Sequence, residues 1–239
     1  MLEIVKRRDS QMNKITTSPL VLAASLALVG CIDSSTAPRS SGTSSNVVLT
    51  SYMNPTIKYG SFIDARDSQT YATVVIGTQT WMAQNLNYKP TTAPDSSWCY
   101  NDSASYCVTY GRLYDYTTAL TVCPIDWHLP DTTEWNTLEV AAGGSATAGT
   151  KLKSATGWNV ASGYIAGTNA YGFSILPKGF YRGYDFAYVG VEGVWWTATA
   201  RGRSNAWDIG TDYNWTNLSQ DDFSLQTFGF SVRCLKNTP

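Results

Sequence analysis

The sequence predicts one α+β domain with two main helices, short antiparallel strands and much loop. Three observations lead to this class. Helix-capping residues precede two runs between residues 115 and 142, short strand-like segments separated by turn residues follow from Tyr171 onward, and no long helical pattern interrupts those later segments. The composition, 43% hydrophobic and only 15% charged, is that of a folded chain rather than a disordered one.

A β-hairpin is expected to open the domain. Residues 70–76 read TYATVVI, which is rich in the β-branched and aromatic residues that favour strands. Gly77 and Thr78 break this run, and QTWM at residues 79–82 resumes it. The register of such a hairpin places Trp81 in the core.

Two helices are expected next. Asp115 can cap a short helix that runs to Leu120. Asp131 and Glu134 have the spacing of a capping box that starts a second helix, and glycines at residues 143–144 can end it. The apolar residues that recur at helical intervals along the second helix are Trp135, Leu138 and Ala142.

The second half of the chain is expected to form an antiparallel sheet. Its strand-like segments are short and are separated by turn residues. They are FSILP at residues 173–177, VWWTATA at residues 194–200, NAWDIG at residues 205–210 and FGFSVRCL at residues 228–235. The aromatic residues of this half that are expected in the core are Trp195, Trp207 and Phe228.

Residues 1–30 have the features of an export signal. The run PLVLAASLALVG at residues 19–30 has no charge and is shorter than the roughly 20 apolar residues that a membrane-spanning helix needs. The sequence LVGC that ends at Cys31 resembles the processing box of bacterial lipoproteins, so Cys31 is expected to carry lipid. An ordinary thiol at this position is the alternative. Because Glu3 and Asp9 dilute the positive charge of the leader, translation is expected to start at Met12.

A lipid at Cys31 would attach the chain to a bacterial membrane. Residues 31–61 would form a polar, flexible linker, since SSTAPRSSGTSSNVVLTS within it shows no helical or strand periodicity. The folded domain is expected over residues 62–237. Ile32 stands where an aspartate retains some lipoproteins at the inner membrane, which favours the outer membrane or the cell surface.

The charge of the chain argues against nucleic acid as a partner. Residues 1–31 hold four of the 17 basic and two of the 18 acidic residues. The remainder has 13 basic and 16 acidic residues, a net charge of −3. Such a domain lacks the excess of basic residues that binds a phosphate backbone.

Four cysteines follow Cys31, and an even number of cysteines in an exported chain implies disulfides. The separation of Cys99 and Cys107 by eight residues encloses only a local loop, which favours this pair. The remaining pair is Cys123 with Cys234. Four thiolates that bind zinc are the alternative, but the sequence has no Cys-x-x-Cys pair and export favours oxidation.

Eight sequence blocks occur in the order and spacing of a known bacterial family. The blocks are GTQTWMAQNLNY, SWCYND, YGRLYDY, VCPIDWHLPDTTEWNTLE, GTKLKS, YGFSILPKGF, WWTAT and GFSVRCLK. Together they resemble the Fibrobacter succinogenes major paralogous domain from about Phe62 to Lys236. Members of that family are typically surface lipoproteins or secreted proteins without an assigned activity, and the resemblance implies the same setting for this chain.

A more distant resemblance concerns the fold. The WHLP turn that leads into a helix and the closing GFSVRC strand resemble the C-type-lectin-like fold in its formylglycine-generating-enzyme branch. This resemblance implies a looped domain with close termini and many packed tryptophans. The enzymes of that branch use two redox-active, copper-binding cysteines near the C-terminal part of the domain. Only Cys234 lies in that region here, so the catalytic pattern is absent.

The sequence offers few residues for catalysis. His128 is the only histidine, and its position between a tryptophan and a leucine before a helix cap favours a structural hydrogen bond over a catalytic base. Clustered aspartates could serve glycoside hydrolysis or supply oxygen ligands to calcium, although loop aspartates more commonly form turns. These aspartates are Asp208, Asp212, Asp221 and Asp222.

Aromatic residues are dense among the loops after residue 180, where they can present amphipathic rings to a ligand. Side-chain alternation along the strand places only one of Trp195 and Trp196 in the core and turns the other outward. The residues expected to bind a ligand are Trp196, Tyr213 and Trp215. A loop that covers this face is the alternative.

These features predict a non-catalytic, lipid-anchored protein of the bacterial cell envelope. Its domain is expected to act as a recognition or adhesion module for polysaccharide or for a surface protein. One alternative is a structural envelope component without a small-ligand site, and another is a divergent enzyme on the formylglycine-generating-enzyme scaffold. No cofactor is expected, apart from calcium at the four aspartates.

Overall fold

The computed structural model describes residues 50–238, in which thirteen strands and four α-helices form the folded domain. The strands are β1 (Gly60–Asp64), β2 (Gln69–Ile76), β3 (Gln79–Met82), β4 (Ser97–Trp98), β5 (Leu113–Tyr114), β6 (Trp127–His128), β7 (Phe180–Tyr181), β8 (Phe186–Ala187), β9 (Glu192–Arg201), β10 (Asn205–Asp212), β11 (Ser219–Leu225), β12 (Phe230–Ser231) and β13 (Leu235–Lys236). The helices are α1 (Ala104–Tyr110), α2 (Tyr116–Ala119), α3 (Thr132–Ala141) and α4 (Ala148–Leu152). The predicted α+β class is confirmed.

Two sheets and one short ribbon organise these strands. The first sheet has the order β1-β2-β3-β13-β6, and the second has the order β11-β10-β9-β12-β5-β4. Strands β7 and β8 form the ribbon, and Tyr181 of β7 also makes an antiparallel bridge to Gly229, the residue before β12. The strand pairs are antiparallel except that of β9 with β12, which is parallel. The six-stranded sheet therefore has β11 at one edge and β4 at the other.

The predicted hairpin and both predicted helices are confirmed. Strands β2 and β3 pair around a turn at Gly77, and Trp81 is fully buried. The Asp115 side chain accepts a hydrogen bond from the Thr118 backbone N–H at 2.8 Å and caps α2. The capping box at the start of α3 is complete, because Asp131 and Glu134 each accept a hydrogen bond from the other's backbone N–H at 2.9 Å.

Three segments differ from their predictions. Helix α1 forms where a loop is expected. The sequence does not predict this helix, because ASYCVTY consists mostly of weak helix formers. Residues 173–177 form a single isolated bridge, Lys153 to Ile175, instead of a strand. The closing segment at residues 228–235 divides between the two sheets as β12 and β13.

Two apolar clusters lie inside the domain, and β9 contributes to both. Trp195 packs in the first cluster with Trp81 and Trp135, whereas Trp196 packs in the second with Phe230. Both neighbouring tryptophans are fully buried because each face of β9 is covered by one cluster. Trp195 is confirmed as a core residue, while Trp207 and Phe228 are only half-buried.

Both predicted disulfides are present. Cys99 pairs with Cys107 across eight residues, and Cys123 pairs with Cys234 across 111 residues. The chain-entropy model assigns the longer bridge about 4.8 kcal/mol and the shorter one about 2.5 kcal/mol of stabilisation. Among residues 50–238, every helix is too short or too polar to cross a lipid bilayer. Cys31, Met12 and the predicted signal and linker up to residue 49 lie outside the described residues.

Candidate functional site

Six aromatic rings follow one another along the β4 edge of the six-stranded sheet and form what we call the aromatic strip. Successive ring centroids lie 4.5, 5.0, 5.3, 5.3 and 5.8 Å apart. In order, the strip consists of Trp98, Tyr181, Phe186, Tyr100, Tyr106 and Tyr110. Tyr100 is buried, and the other five rings are partly exposed. The strip is thus a continuous row of rings that reaches the solvent.

Three local structures position the rings of the aromatic strip. Trp98 lies on β4, Tyr181 and Phe186 face each other across the β7–β8 ribbon, and the remaining tyrosines lie on a short turn and on α1. Tyr106 and Tyr110 share one face of α1 because they are four residues apart. Gly229 allows close packing here, since a Cβ at this position would lie 2.9 Å from the Trp98 ring.

The β7–β8 turn carries one more ring, Tyr184, which is not stacked on the strip. Tyr184 is 74% exposed, and the Arg182 guanidinium lies 5.4 Å from the centroid of its ring. The Arg182 side chain is held by Asp185, to which its Nε donates a hydrogen bond at 2.7 Å. This ion pair fixes the turn and keeps a cation beside an exposed tyrosine.

An open hollow of about 370 Å³ adjoins the strip, and we call it the Trp98 hollow. Its volume falls in the roughly 300–1,000 Å³ range of ligand pockets. Its wall combines an aromatic ring with cationic and anionic side chains. The lining residues include Trp98, Lys89, Asp95, Asp102, Arg112 and Cys99.

Arg112 is fixed at the inner wall of the Trp98 hollow by Ser97. Its Nε donates to the Ser97 hydroxyl at 3.1 Å, and its Nη2 donates to the Ser97 carbonyl at 3.0 Å. Its Nη1 lies 3.4 Å from the sulfur of Cys99 and 3.5 Å from that of Cys107. Burial lowers the pKa of Arg112. The guanidinium thus connects the hollow with the short disulfide.

Two of the predicted ligand-binding residues lie on a different loop, which follows β10. Tyr213 is half-buried, and Trp215 is 36% exposed. The loop is held by the Lys153 ammonium, which donates to the backbone carbonyls of Asp212 at 3.1 Å and of Trp215 at 2.8 Å. The ammonium also donates to the carbonyls of Ile165 and Tyr213. Burial lowers the pKa of Lys153 to about 8.

The third predicted ligand-binding residue, Trp196, requires a correction. Its side chain is fully buried, and its indole N–H donates to the Tyr114 carbonyl at 2.8 Å. Because the second apolar cluster covers this face of β9, Trp196 does not face a ligand. The inference that one of the two neighbouring tryptophans turns outward is wrong.

The four aspartates are not brought together as a calcium site. Asp208 is buried opposite Asp221 in the β10–β11 pair, whereas Asp222 forms an ion pair with Arg201 and Asp212 lies at the end of β10. Within residues 50–238, no group of three or more acidic, histidine or cysteine side chains is placed to hold a metal ion. The register sets only Asp208 and Asp221 against each other, so no three of these carboxylates are grouped within the described residues.

His128 has the structural hydrogen bonds that its sequence position predicts. Its Nε2 lies 2.8 Å from Glu134 Oε1, and its Nδ1 lies 2.6 Å from Asn237 Oδ1. Glu134 is the same residue that completes the capping box of α3. His128 therefore connects the start of α3 to the segment after β13, beside a polar cleft of about 470 Å³.

The sequence model of the Fibrobacter succinogenes major domain matches residues 74–236 of this chain. The chain belongs to that family. The match covers more than half of the sequence and includes the Trp98 hollow, the aromatic strip and both disulfides. Comparison with curated proteins and with solved structures gives no significant match. The more distant likeness of this Fibrobacter succinogenes major domain to the C-type-lectin-like fold stays a prediction.

Sequence reasoning missed the aromatic strip. The sequence does contain a signal, because the short segment 97–110 holds one tryptophan and three tyrosines together with two cysteines. The contribution of the β7–β8 ribbon has no comparable signal, since Tyr181 and Phe186 are about 80 residues away from this segment and join it only in the fold.

Proposed function

We propose that this protein is a non-catalytic, lipid-anchored component of the bacterial cell envelope that binds polysaccharide through the aromatic strip and the Trp98 hollow. The single observation that carries the proposal is the continuous row of partly exposed rings beside a hollow lined by polar groups. The proposed location in the cell envelope rests on the sequence around Cys31. The proposed ligand class rests on the chemistry of the aromatic strip and the Trp98 hollow.

Aromatic faces and hydrogen-bonding side chains together suit a sugar. A pyranose ring presents a face of C–H groups, which packs on an aromatic ring, and hydroxyl groups around its edge, which need donors and acceptors. Trp98 supplies a ring in the hollow, and Asp95, Asp102 and Arg112 supply acceptors and donors. The Tyr110 hydroxyl in the strip can both donate and accept a hydrogen bond.

The charges of the hollow favour an uncharged polysaccharide. Two cationic residues, Lys89 and Arg112, stand with two anionic residues, Asp95 and Asp102. Neither a polyanion nor a polycation is matched by this mixture, whereas sugar hydroxyls can bind to both kinds of group. The extent of the strip supports binding along a chain of several sugar units rather than a single sugar.

A glycan array probed with the purified protein tests the ligand class, and titration calorimetry with the best neutral glycan tests the site. We expect Trp98→Ala to weaken binding at least tenfold and Asp95→Asn to weaken it severalfold. Trp215→Ala is the matched control, because it removes an exposed tryptophan from the opposite end of the sheet, and binding should be unchanged. Circular dichroism verifies that each variant is folded.

Two results would overturn this proposal. Loss of binding in Trp215→Ala but not in Trp98→Ala would show that the binding site is the loop after β10, as the sequence predicts. Failure of every neutral glycan on the array to bind would exclude polysaccharide as the ligand. The lipid anchor is tested separately with Cys31→Ser, which should move the protein from the membrane fraction to the soluble fraction and abolish its labelling with radioactive fatty acid.

A further inference from the structure

The Cys99–Cys107 disulfide lies against a cation. The Arg112 guanidinium is within 3.4 and 3.5 Å of the two sulfurs, and Ser97 holds it there by two hydrogen bonds. Within residues 50–238, no carboxylate lies within ion-pair distance of Arg112, although Asp95 and Asp102 line the same hollow. A guanidinium in this position stabilises a thiolate at either sulfur more than it stabilises the neutral disulfide.

A second basic side chain lies close to Arg112. The Lys178 ammonium donates to the carbonyl of Gly111, the residue before Arg112. Its pKa lies well below the ordinary value, first because of burial and second because of the charge on Arg112. The two basic side chains thus approach the same few residues of chain, and the Arg112 guanidinium is the cation that lies beside the disulfide.

The two cysteines differ in their exposure to solvent. Cys99 is partly exposed and lines the Trp98 hollow. Cys107 is only 5% exposed, because α1 packs it against the domain. An external thiolate therefore reaches Cys99 more easily, and Cys107 becomes the leaving group.

We propose that the Cys99–Cys107 disulfide is a thiol-exchange site, at which a small-molecule or protein thiol forms a mixed disulfide with Cys99. The external thiolate sulfur bonds to Cys99 Sγ, the Cys99–Cys107 bond breaks, and its electron pair leaves on Cys107 Sγ as a thiolate beside Arg112. A second external thiolate then bonds to the sulfur of the first, the mixed disulfide breaks, and Cys99 Sγ leaves as a thiolate. The two external thiols are oxidised to one disulfide, and the protein pair is reduced to two thiolates.

Reduction of the Cys99–Cys107 disulfide would affect the aromatic strip. Helix α1 has only seven residues, and a helix of that length is not stable without tertiary support. The bridge is the covalent tie between β4 and α1, which carries Tyr106 and Tyr110. Thiol exchange would therefore loosen one half of the strip and leave the half formed by Trp98 and the ribbon in place.

The test equilibrates the full-length protein with glutathione buffers, traps free thiols by alkylation and reads each cysteine pair by mass spectrometry. The Cys123–Cys234 pair is the internal control in every sample. We expect the equilibrium constant for reduction of Cys99–Cys107 to be at least tenfold larger than that of Cys123–Cys234. A tenfold ratio corresponds to a difference of about 30 mV in reduction potential. Arg112→Gln should lower the ratio of the two constants about tenfold, and Arg112→Lys should give an intermediate ratio because it keeps a cation.

Three results would refute the proposal. They are reduction of both pairs in parallel in the wild-type protein, an unchanged ratio in the Arg112 variants, and an early glutathione adduct on Cys107 rather than on Cys99. If Arg112→Gln fails to fold because it loses its bonds to Ser97, Arg112→Lys and the position of the adduct decide the outcome. Saccharide binding is not measured in this experiment, so its result is independent of the proposed function.

Discussion

The two ends of the six-stranded sheet hold their aromatic residues by different means. At the β4 edge, the rings themselves are packed on one another in a row, and a disulfide ties the segment that carries them. In the loop after β10, the Lys153 ammonium holds the backbone carbonyls, while the Trp215 ring is 36% exposed. At the β4 edge, stacking fixes the aromatic side chains. In the loop after β10, the Lys153 hydrogen bonds fix the backbone.

This difference shows why the number of aromatic residues in a segment does not locate a binding surface. A ring contributes to recognition when its orientation is fixed before the ligand arrives, since less conformational entropy is then lost on binding. Stacked neighbours fix the rings of the aromatic strip. The Lys153 hydrogen bonds hold the backbone of the Trp215 segment, so this comparison can be tested by removing each support in turn.

The largest effect is expected for Lys153→Met. Methionine retains the length of the side chain but removes the donor shared by four carbonyls, and we expect the free energy of unfolding at pH 7 to fall by about 3 kcal/mol. Urea denaturation gives this value, and amide exchange after β10 should accelerate. Lys151→Met, two residues earlier in α4, is the matched control and should change stability by less than about 0.5 kcal/mol. Equal effects of the two substitutions would contradict the role of the ammonium.

The next effect is expected for the double variant Cys99→Ala/Cys107→Ala. Removal of the short bridge should lower the free energy of unfolding by about 2.5 kcal/mol, because the unfolded chain gains the freedom of an eight-residue loop. Hydrogen exchange of the amides of α1 should accelerate, while the β7–β8 ribbon should keep its protection. Unchanged protection of α1 would show that ring stacking alone holds the strip.

Features encoded within a few residues could be predicted from the sequence. The caps at Asp115 and Asp131 involve partners three residues away, and the hairpin around Gly77 joins neighbouring strands. The disulfides could be predicted because four cysteines allow few pairings and one pair encloses a short loop. In each case the physical cause lies within the local chain or in a small set of alternatives.

Features that depend on distant partners could not be predicted in the same way. The outward position expected for Trp196 assumed that one face of β9 meets solvent, but the second apolar cluster covers that face. The aromatic strip combines residues near position 100 with a ribbon near position 181. The four aspartates are close in sequence, yet the pairing of β10 with β11 sets only Asp208 and Asp221 against each other, and Arg201 pairs with Asp222. Contacts between distant segments decide all three outcomes.

A smaller effect is expected in the pH dependence of the loop after β10. The pKa of Lys153 is about 8 in the folded protein, against an ordinary value of 10.5, because burial disfavours the ammonium more than the Asp212 charge favours it. Between these values the folded lysine loses its proton while the unfolded lysine keeps it, so the free energy of unfolding rises with pH. The rise should be about 1 kcal/mol from pH 8 to pH 9.

The difference in unfolding free energy between the wild-type protein and Lys153→Met isolates this contribution. Buried tyrosines such as Tyr114 have raised pKa values and lower the stability of both proteins at higher pH, so their effect cancels in the difference. The wild-type protein should gain stability relative to the variant as the pH rises from 7 to 9. A constant difference over this range would mean that the folded pKa of Lys153 is close to its ordinary value.

The smallest effect is expected for Trp215→Ala. The substitution keeps the Trp215 carbonyl that the Lys153 ammonium binds, and it removes a ring that is 36% exposed. We therefore expect the free energy of unfolding to fall by about 1 kcal/mol or less, as measured by urea denaturation. A loss above about 2 kcal/mol would show that the Trp215 ring, and not only its backbone, is fixed in the fold. The two ends of the sheet would then organise their aromatic side chains alike, and the distinction between them would be lost.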